Sequence, residues 1–301
     1  MPGHIRMLRV IVIGAALAPE RGHAVEGVTP YLPGATTGVP IGALPPLGFY
    51  GSEDNYVVYG GVRDNRGKSV PVQVANWSAN VSLLWSSPYK ILGGQYGAGV
   101  IQIGAYHTVD STALGGRRTG SFGLFNTIVE PLVLSWKLAD GVFVSTGQSV
   151  YLRNGEFHVA NDARAQTSYA SNFYTYEPSF ALTYLKGGWN LTAANIFDFN
   201  MKNDRTNYSS GTVYYLDLTA VRKFGNLTAG LIGNYTQQIS DDRLNGARVG
   251  TDGNRVEHVM LGPLLAYQWG RFEFTGRFLG DVATRNDIAF KTGHLSVSTK
   301  F

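Results

Sequence analysis

The segment Ser210–Ser240, SGTVYYLDLTAVRKFGNLTAGLIGNYTQQIS, decides the fold. It reads as two long strands joined by a tight turn at Phe224-Gly225-Asn226. In the first strand Tyr214, Leu216, Leu218 and Ala220 share one face, and Tyr215, Asp217, Thr219 and Lys223 share the other. Alternation with period 2 marks a strand with one apolar and one polar face. Strands in soluble sheets usually run ~5–6 residues, whereas a tilted strand crossing a bilayer takes ~9–11. A chain that repeats this unit is an all-β, up-and-down transmembrane barrel, and this chain repeats it.

Composition agrees. Charged residues make up 15% of the 301, with 38 glycines, 17 tyrosines, 15 phenylalanines and no cysteine. Strands half apolar and half polar give such a profile. No run of ~18 apolar residues is present to form a helical span. Without cysteine there is neither a disulfide framework nor a thiolate metal site.

Both ends carry signals. His4, Arg6 and Arg9 precede the short apolar run Val10–Ala18, with small residues at Gly22 and Ala24. This is the plan of a secretory signal peptide over residues 1–24, cut after Ala24. The remaining chain holds 22 basic and 20 acidic residues, a balance that gives no reason to expect nucleic acid as a partner. At the other end Leu295, Val297, Thr299 and Phe301 oppose Thr292, His294, Ser296, Ser298 and Lys300. This closing strand is similar to the terminal signal of bacterial outer-membrane barrels, which makes Phe301 the expected handle for barrel-assembly machinery.

Residues 25–48 are rich in Gly, Pro and Thr without a strand period. They read as an irregular arm, either a partial plug carrying Tyr31, Pro33, Pro45 and Pro46 or a disordered periplasmic tail. The barrel is expected over 49–301. Twelve strands are expected at 49–62, 70–87, 95–108, 120–137, 141–153, 173–186, 188–200, 211–224, 226–240, 255–269, 271–283 and 290–301. The connections between them alternate between tight turns and longer polar loops, the latter including 154–172, 241–254 and 284–289. An even strand count returns the terminus to the side it left. The faces of 95–108 and 141–153 are ambiguous by pattern.

Lipid disfavours unpaired charge, so charged faces are expected to look inward and aromatic faces outward. Trp136, Trp189, Tyr267 and Trp269 lie beside tight turns, where an interfacial girdle belongs. The lumen candidates are then Glu130, Glu177, Asp217, Glu273, Arg277 and Asp281. They either select what passes or merely brace the interior, as side chains do in small barrels. Tyr31, Phe49, Tyr50, Tyr96, Tyr106 and Tyr215 offer stacking surfaces or ordinary girdle and filling positions.

Several short motifs, in order, resemble the meta-pathway-of-phenol-degradation family of bacterial outer-membrane proteins. They are YLPG at Tyr31–Gly34, Pro45-Pro46, Gly48-Phe49-Tyr50, KILGGQYG at Lys90–Gly97, EPLVLSW at Glu130–Trp136, YTQQISDD at Tyr235–Asp242, LGP at Leu261–Pro263 and Arg285-Asn286. Asn126 departs from the acidic residue expected at its place. The resemblance implies an outer-membrane transporter associated with breakdown of aromatic compounds, with outer-membrane lipid and a small solute as partners.

No cofactor or metal is indicated. His107, His158 and His258 are scattered, and no phosphate-cradling glycine motif joins a strand to a helix. His294 and Ser296 share the inward face of the last strand, but neighbours two apart stand too far for a direct nucleophile–base bond. An enzyme is not the expectation; a surface hydrolase and an adhesive barrel are the alternatives. The primary expectation is passive uptake of small apolar or aromatic solutes.

Overall fold

The computed structural model describes residues 30–158 and 170–301. The signal segment 1–24 and the first residues of the arm lie outside them. Sixteen strands are described: β1 Gly48–Arg63, β2 Ser69–Ile91, β3 Gly94–Asp110, β4 Arg118–Leu124, β5 Ile128–Ala139, β6 Val142–Tyr151, β7 Thr175–Lys186, β8 Trp189–Asn200, β9 Tyr208–Ser209, β10 Val213–Phe224, β11 Leu227–Gln238, β12 Arg243–Leu244, β13 Ala247–Arg248, β14 Glu257–Trp269, β15 Phe272–Arg285 and β16 Ile288–Lys300. The first strand pairs with the last, from Tyr50↔Lys300 to Val62↔Ile288. Every neighbouring pair is antiparallel, so the sheet closes on itself and leaves no edge for lipid to meet. β4 and β5 both pair with β3, above and below Phe125-Asn126-Thr127, and act as one interrupted stave. The wall therefore has the twelve staves expected. The short β9, β12 and β13 make a small separate sheet among the longer connections.

Alternation places the faces as expected on β10. Val213, Tyr215, Asp217, Thr219 and Val221 are all buried, whereas Leu218 is 45% exposed. At the tight-turn end Trp189, Tyr267 and Trp269 are exposed, and Arg222 stacks on Trp189. The strand at 94–110 is broken into inward and outward positions by its partners. On 142–151 Ser145, Ser149 and Tyr151 are buried.

Three expectations need correction. The strand expected at 120–137 is interrupted because Asn126 turns inward as a hook. Its amide nitrogen donates to the carbonyls of Leu152 and Ser171 (2.8 Å for Ser171), and its oxygen accepts from Ser171 N at 2.8 Å. An acidic side chain cannot donate to those carbonyls, which gives the departure at this position a structural reason. Asn126→Asp should cost about 1–3 kcal/mol of loop anchoring, read as faster protease cleavage within 152–174. Unchanged cleavage would remove the hook argument.

Second, no long loop spans 284–289. β15 stays paired with β14 as far as Glu257↔Arg285, and the connection is Asn286-Asp287, with Asn286 at φ 50°.

Third, Glu53 faces outward. On β1 the inward positions are Asp54, Tyr56 and Val58, so Glu53 and Asn55 fall on the face of Val57 and Tyr59, which are half exposed. Asn55 donates to Glu53 Oε1 at 2.6 Å, satisfying part of the carboxylate locally. Glu53→Leu should leave folding intact and stabilise the barrel in a bilayer by up to about 2 kcal/mol, as a shift of the urea midpoint in vesicles. A destabilised variant would mean that Glu53 serves a partner rather than facing lipid.

Candidate functional site in the barrel lumen

Residues 30–47 run inside the barrel, and their backbone is held by side chains of the wall. Such a segment has no ladder of its own, so each buried N–H and C=O needs a partner from elsewhere. Short hydroxyl and amide side chains provide them. Gly38 N donates to Thr219 Oγ1 (2.7 Å) and Gly42 N to Thr183 Oγ1 (3.0 Å). In return Ser135 donates to Gly42 O, Ser145 to Ile41 O (both 2.8 Å), Asn190 to Gly38 O (3.0 Å) and Ser86 to Pro45 O (2.7 Å). The inward serines and threonines of five staves thus form a socket for an extended peptide. Contact is close enough to exclude side chains at two points of the arm. Gly34 (φ 83°) and Gly38 (φ 89°) have left-handed backbones, and a Cβ there would overlap Leu279 and Leu264.

Two charged residues clamp the upper part of the arm. Asp217 Oδ2 accepts from Tyr31 Oη (2.6 Å), Thr36 N (3.0 Å) and Thr36 Oγ1 (2.7 Å), while Oδ1 accepts from Asn234 (2.7 Å). Tyr31 also packs on Tyr215, ring centroids 4.7 Å apart. Arg277, on β15, donates from Nη2 to Ala35 O (3.0 Å) and Tyr56 Oη (2.7 Å), and from Nη1 to Thr37 O and to Thr37 Oγ1 (3.1 Å). Its Nε donates to His294 Nδ1 at 2.7 Å, and His294 Nε2 meets Asp54 Oδ1 at 2.8 Å. Because Nδ1 accepts, the ring hydrogen sits on Nε2 and points at Asp54. The chain Asp54–His294–Arg277 holds the guanidinium fork flat against the arm carbonyls. Both ring nitrogens of His294 are taken, so neither is turned to Ser296 as a base.

The charged candidates do not form one ring. Asp217 and Arg277 meet on the arm. Glu177 is buried beside Tyr151, which donates to it at 2.8 Å, and Glu130 lies close to Gly99 and Gly147 on the neighbouring staves. Glu273 sits at the tight-turn end of β15, and Asp281 at the far end accepts from Thr284. Of the arm residues singled out, Tyr31 reaches Asp217, Pro45 offers its carbonyl to Ser86 and Gln95, and Pro46 offers its carbonyl to Tyr50 Oη. Pro33 is buried within the arm. Of the aromatics proposed for stacking, Phe49 and Tyr106 point outward, and only Tyr31 and Tyr215 stack inside.

Sequence reading missed an apolar patch on the lumen wall. Val221, Ile232, Met260, Leu264, Ala266 and Leu279 pack together inside, with Phe290 against them. Their alternation was visible, but an inward face was expected to be polar. It also missed Asp242, in the loop after β11. That carboxylate accepts from Tyr208, Gly211, Gln238 and Asn254 at 2.6–2.8 Å and ties the outer connections together. Burial pushes its pKa up, and those four donors pull it back.

A family profile described as "Putative MetA-pathway of phenol degradation" matches residues 60–295. No curated protein sequence matches the chain. Among solved structures, the COG4313 outer membrane channel from Pseudomonas putida F1 is similar at TM-score 0.72 and 12% identity, over 90% of this chain and 100% of that one. The beta domain of the Bordetella autotransporter BrkA aligns at TM-score 0.47 and 13% identity, over 84% and 99% of the two chains. The CymD monoaromatic hydrocarbon channel aligns at TM-score 0.42 and 10% identity, over 87% and 91%. At these identities the likeness to the first is one of fold.

Proposed function

The chain belongs to the MetA-pathway of phenol degradation family, and from that membership and the lumen geometry we propose that it is a passive outer-membrane channel for small apolar or aromatic solutes. Residues 1–24 act as the export signal, the arm as a plug and 49–301 as the pore, with Phe301 read by the assembly machinery. The observation that carries the reading is the contrast inside the lumen. Hydroxyls and amides hold a peptide in the lower half, while Met260, Leu264, Leu279 and Phe290 present an apolar surface beside it. A wide general pore would need a hydrated lumen, which this arm occupies. A hydrolase would need an activated nucleophile, and His294 is committed to Asp54 and Arg277.

The test is solute uptake into vesicles with lipopolysaccharide in the outer leaflet, which slows free diffusion of apolar compounds. Phenol should enter faster with the protein than without it, while glucose should stay at the protein-free rate. Phenol uptake equal to that of protein-free vesicles sinks the channel reading.

A further inference from the structure

Three observations converge on one place in the wall, at the loop end of β15 and β16. The first is a split. The β15–β16 ladder stops at Gly280↔Lys291. Beyond it β15 follows β14 to Arg285, interrupted by an irregularity beside Val259 and Met260, and β16 follows β1 to Ile288. Residues 281–285 and 288–290 are thus neighbours in the wall with no ladder between them. In a bilayer, missing ladder bonds are tolerated only where protein or water covers the freed groups.

The second observation is a cleft of about 410 Å³ beside the split, on its β15 side. It is lined by Arg63, Gly67, Glu257, Val259 and Asp281–Arg285. Val282, on its lipid side, is 65% exposed. The mouth carries charge of both signs, as suits the edge of the apolar band.

The third lies directly inside. His258 faces the lumen opposite Thr284 in the β14–β15 register and is 1% exposed. Its Nδ1 meets Asp287 Oδ2 at 2.9 Å, and its ring stands edge-on to Phe290 with centroids 5.8 Å apart. Among the described residues its Nε2 is buried with no partner. A carboxylate only accepts, so Nδ1 carries the hydrogen and Nε2 of the neutral ring is an acceptor lacking a donor. A buried polar atom left so is costly, and its burial calls for an explanation. Next to it stand Met260 and the rest of the apolar patch, whose floor is the arm at Gly34 and Gly38.

We propose that the β15–β16 split is a lateral portal through which a small aromatic compound bearing one hydroxyl passes from the outer-leaflet interface into the lumen, its hydroxyl donating to His258 Nε2. The occupant follows from the surroundings: a polar mouth, an apolar wall and a single waiting acceptor fit a phenol-like molecule better than a sugar or a hydrocarbon. This rests on the channel reading above and adds the route and the recognising atom.

Two arms test it in the intact protein, with phenol and toluene as probes. The chain has no cysteine, so Val282→Cys with Ala289→Cys can be bridged by a short bis-maleimide across the split. Bridging should lower phenol uptake to the protein-free level, while the unbridged double variant retains it. Uptake unaffected by a completed bridge overturns the portal. Phenol uptake absent before any bridging overturns the channel reading itself. In the second arm, binding to the purified protein is compared. Wild type should prefer phenol over toluene by roughly fivefold, one neutral hydrogen bond, and His258→Phe should abolish that preference while keeping toluene binding. His258→Gln, which keeps an acceptor, should retain part of it. An unchanged preference in His258→Phe removes His258 from the site.

Discussion

A barrel lacking residues 30–47 is expected to conduct ions at many times the rate of the full protein in a planar bilayer. The deletion leaves the wall untouched in its essentials, because closure begins at the β1–β16 pairs and no strand takes a ladder bond from the arm. What it removes is a peptide filling the lower lumen. What it exposes is a set of hydroxyls and amides on Thr183, Ser135, Ser145, Asn190 and Thr219, which water satisfies as well as the peptide did. A twelve-stranded barrel lies between small barrels filled by side chains and larger ones with open channels, so the arm decides on which side this one falls. Single-channel recording of both forms settles the matter. Silence in both would mean that side chains alone close the lumen, and the channel reading would be lost. Equal conductance in both would mean that the arm is not the obstruction.

The architecture was legible because membrane and barrel impose the same period. Outward Leu216, Leu218, Leu261 and Leu265 must meet lipid, inward Asp217 and Thr219 must not, and no other fold asks for that alternation across twelve long segments. The interior was harder to read, for several reasons. Contacts such as Thr36 with Asp217 and Thr37 with Arg277 join residues 181 and 240 positions apart, with no periodicity to announce them. The inward face of β14 reads as polar at His258 and Gln268, but Met260, Leu264 and Ala266 between them form the apolar patch. The split between β15 and β16 leaves no mark at all, because each strand keeps its alternation by pairing with its other neighbour. Glu53 shows the opposite limit: the general cost of charge in lipid was read correctly, but a same-face Asn55 two residues on softens it locally.

Arg277→Met is expected to turn the closed protein into one that flickers open, with bursts well below the conductance of the arm-deleted barrel. Of the groups holding the arm, this guanidinium makes the most bonds. It serves Gly34 O, Ala35 O, Thr37 O and Thr37 Oγ1, while Tyr56 and His294 fix its plane. Charge-assisted bonds contribute about 1.5–3 kcal/mol each when partners are buried, and their loss also leaves arm carbonyls unpaired. Methionine keeps much of the volume and removes every donor. Arg277→Lys should restore closure only in part, since an ammonium has no planar fork to span carbonyls two residues apart. Asp217→Ala should act in the same direction and more weakly, because Tyr31 retains its packing on Tyr215 and the hydroxyl ladder below Gly38 persists. The split between the two clamps is itself informative: residues 34–37 answer to Arg277 on β15 and to Asp217 on β10, three staves along the wall. Releasing either should free that short stretch while leaving the segment from Gly38 to Pro45 seated. Recordings of the folded variants, checked by their heat-modifiable migration, provide the readout. An Arg277→Met protein as silent as wild type would show that the socket below holds the arm unaided, and that the arginine clamp has no part in closing the pore.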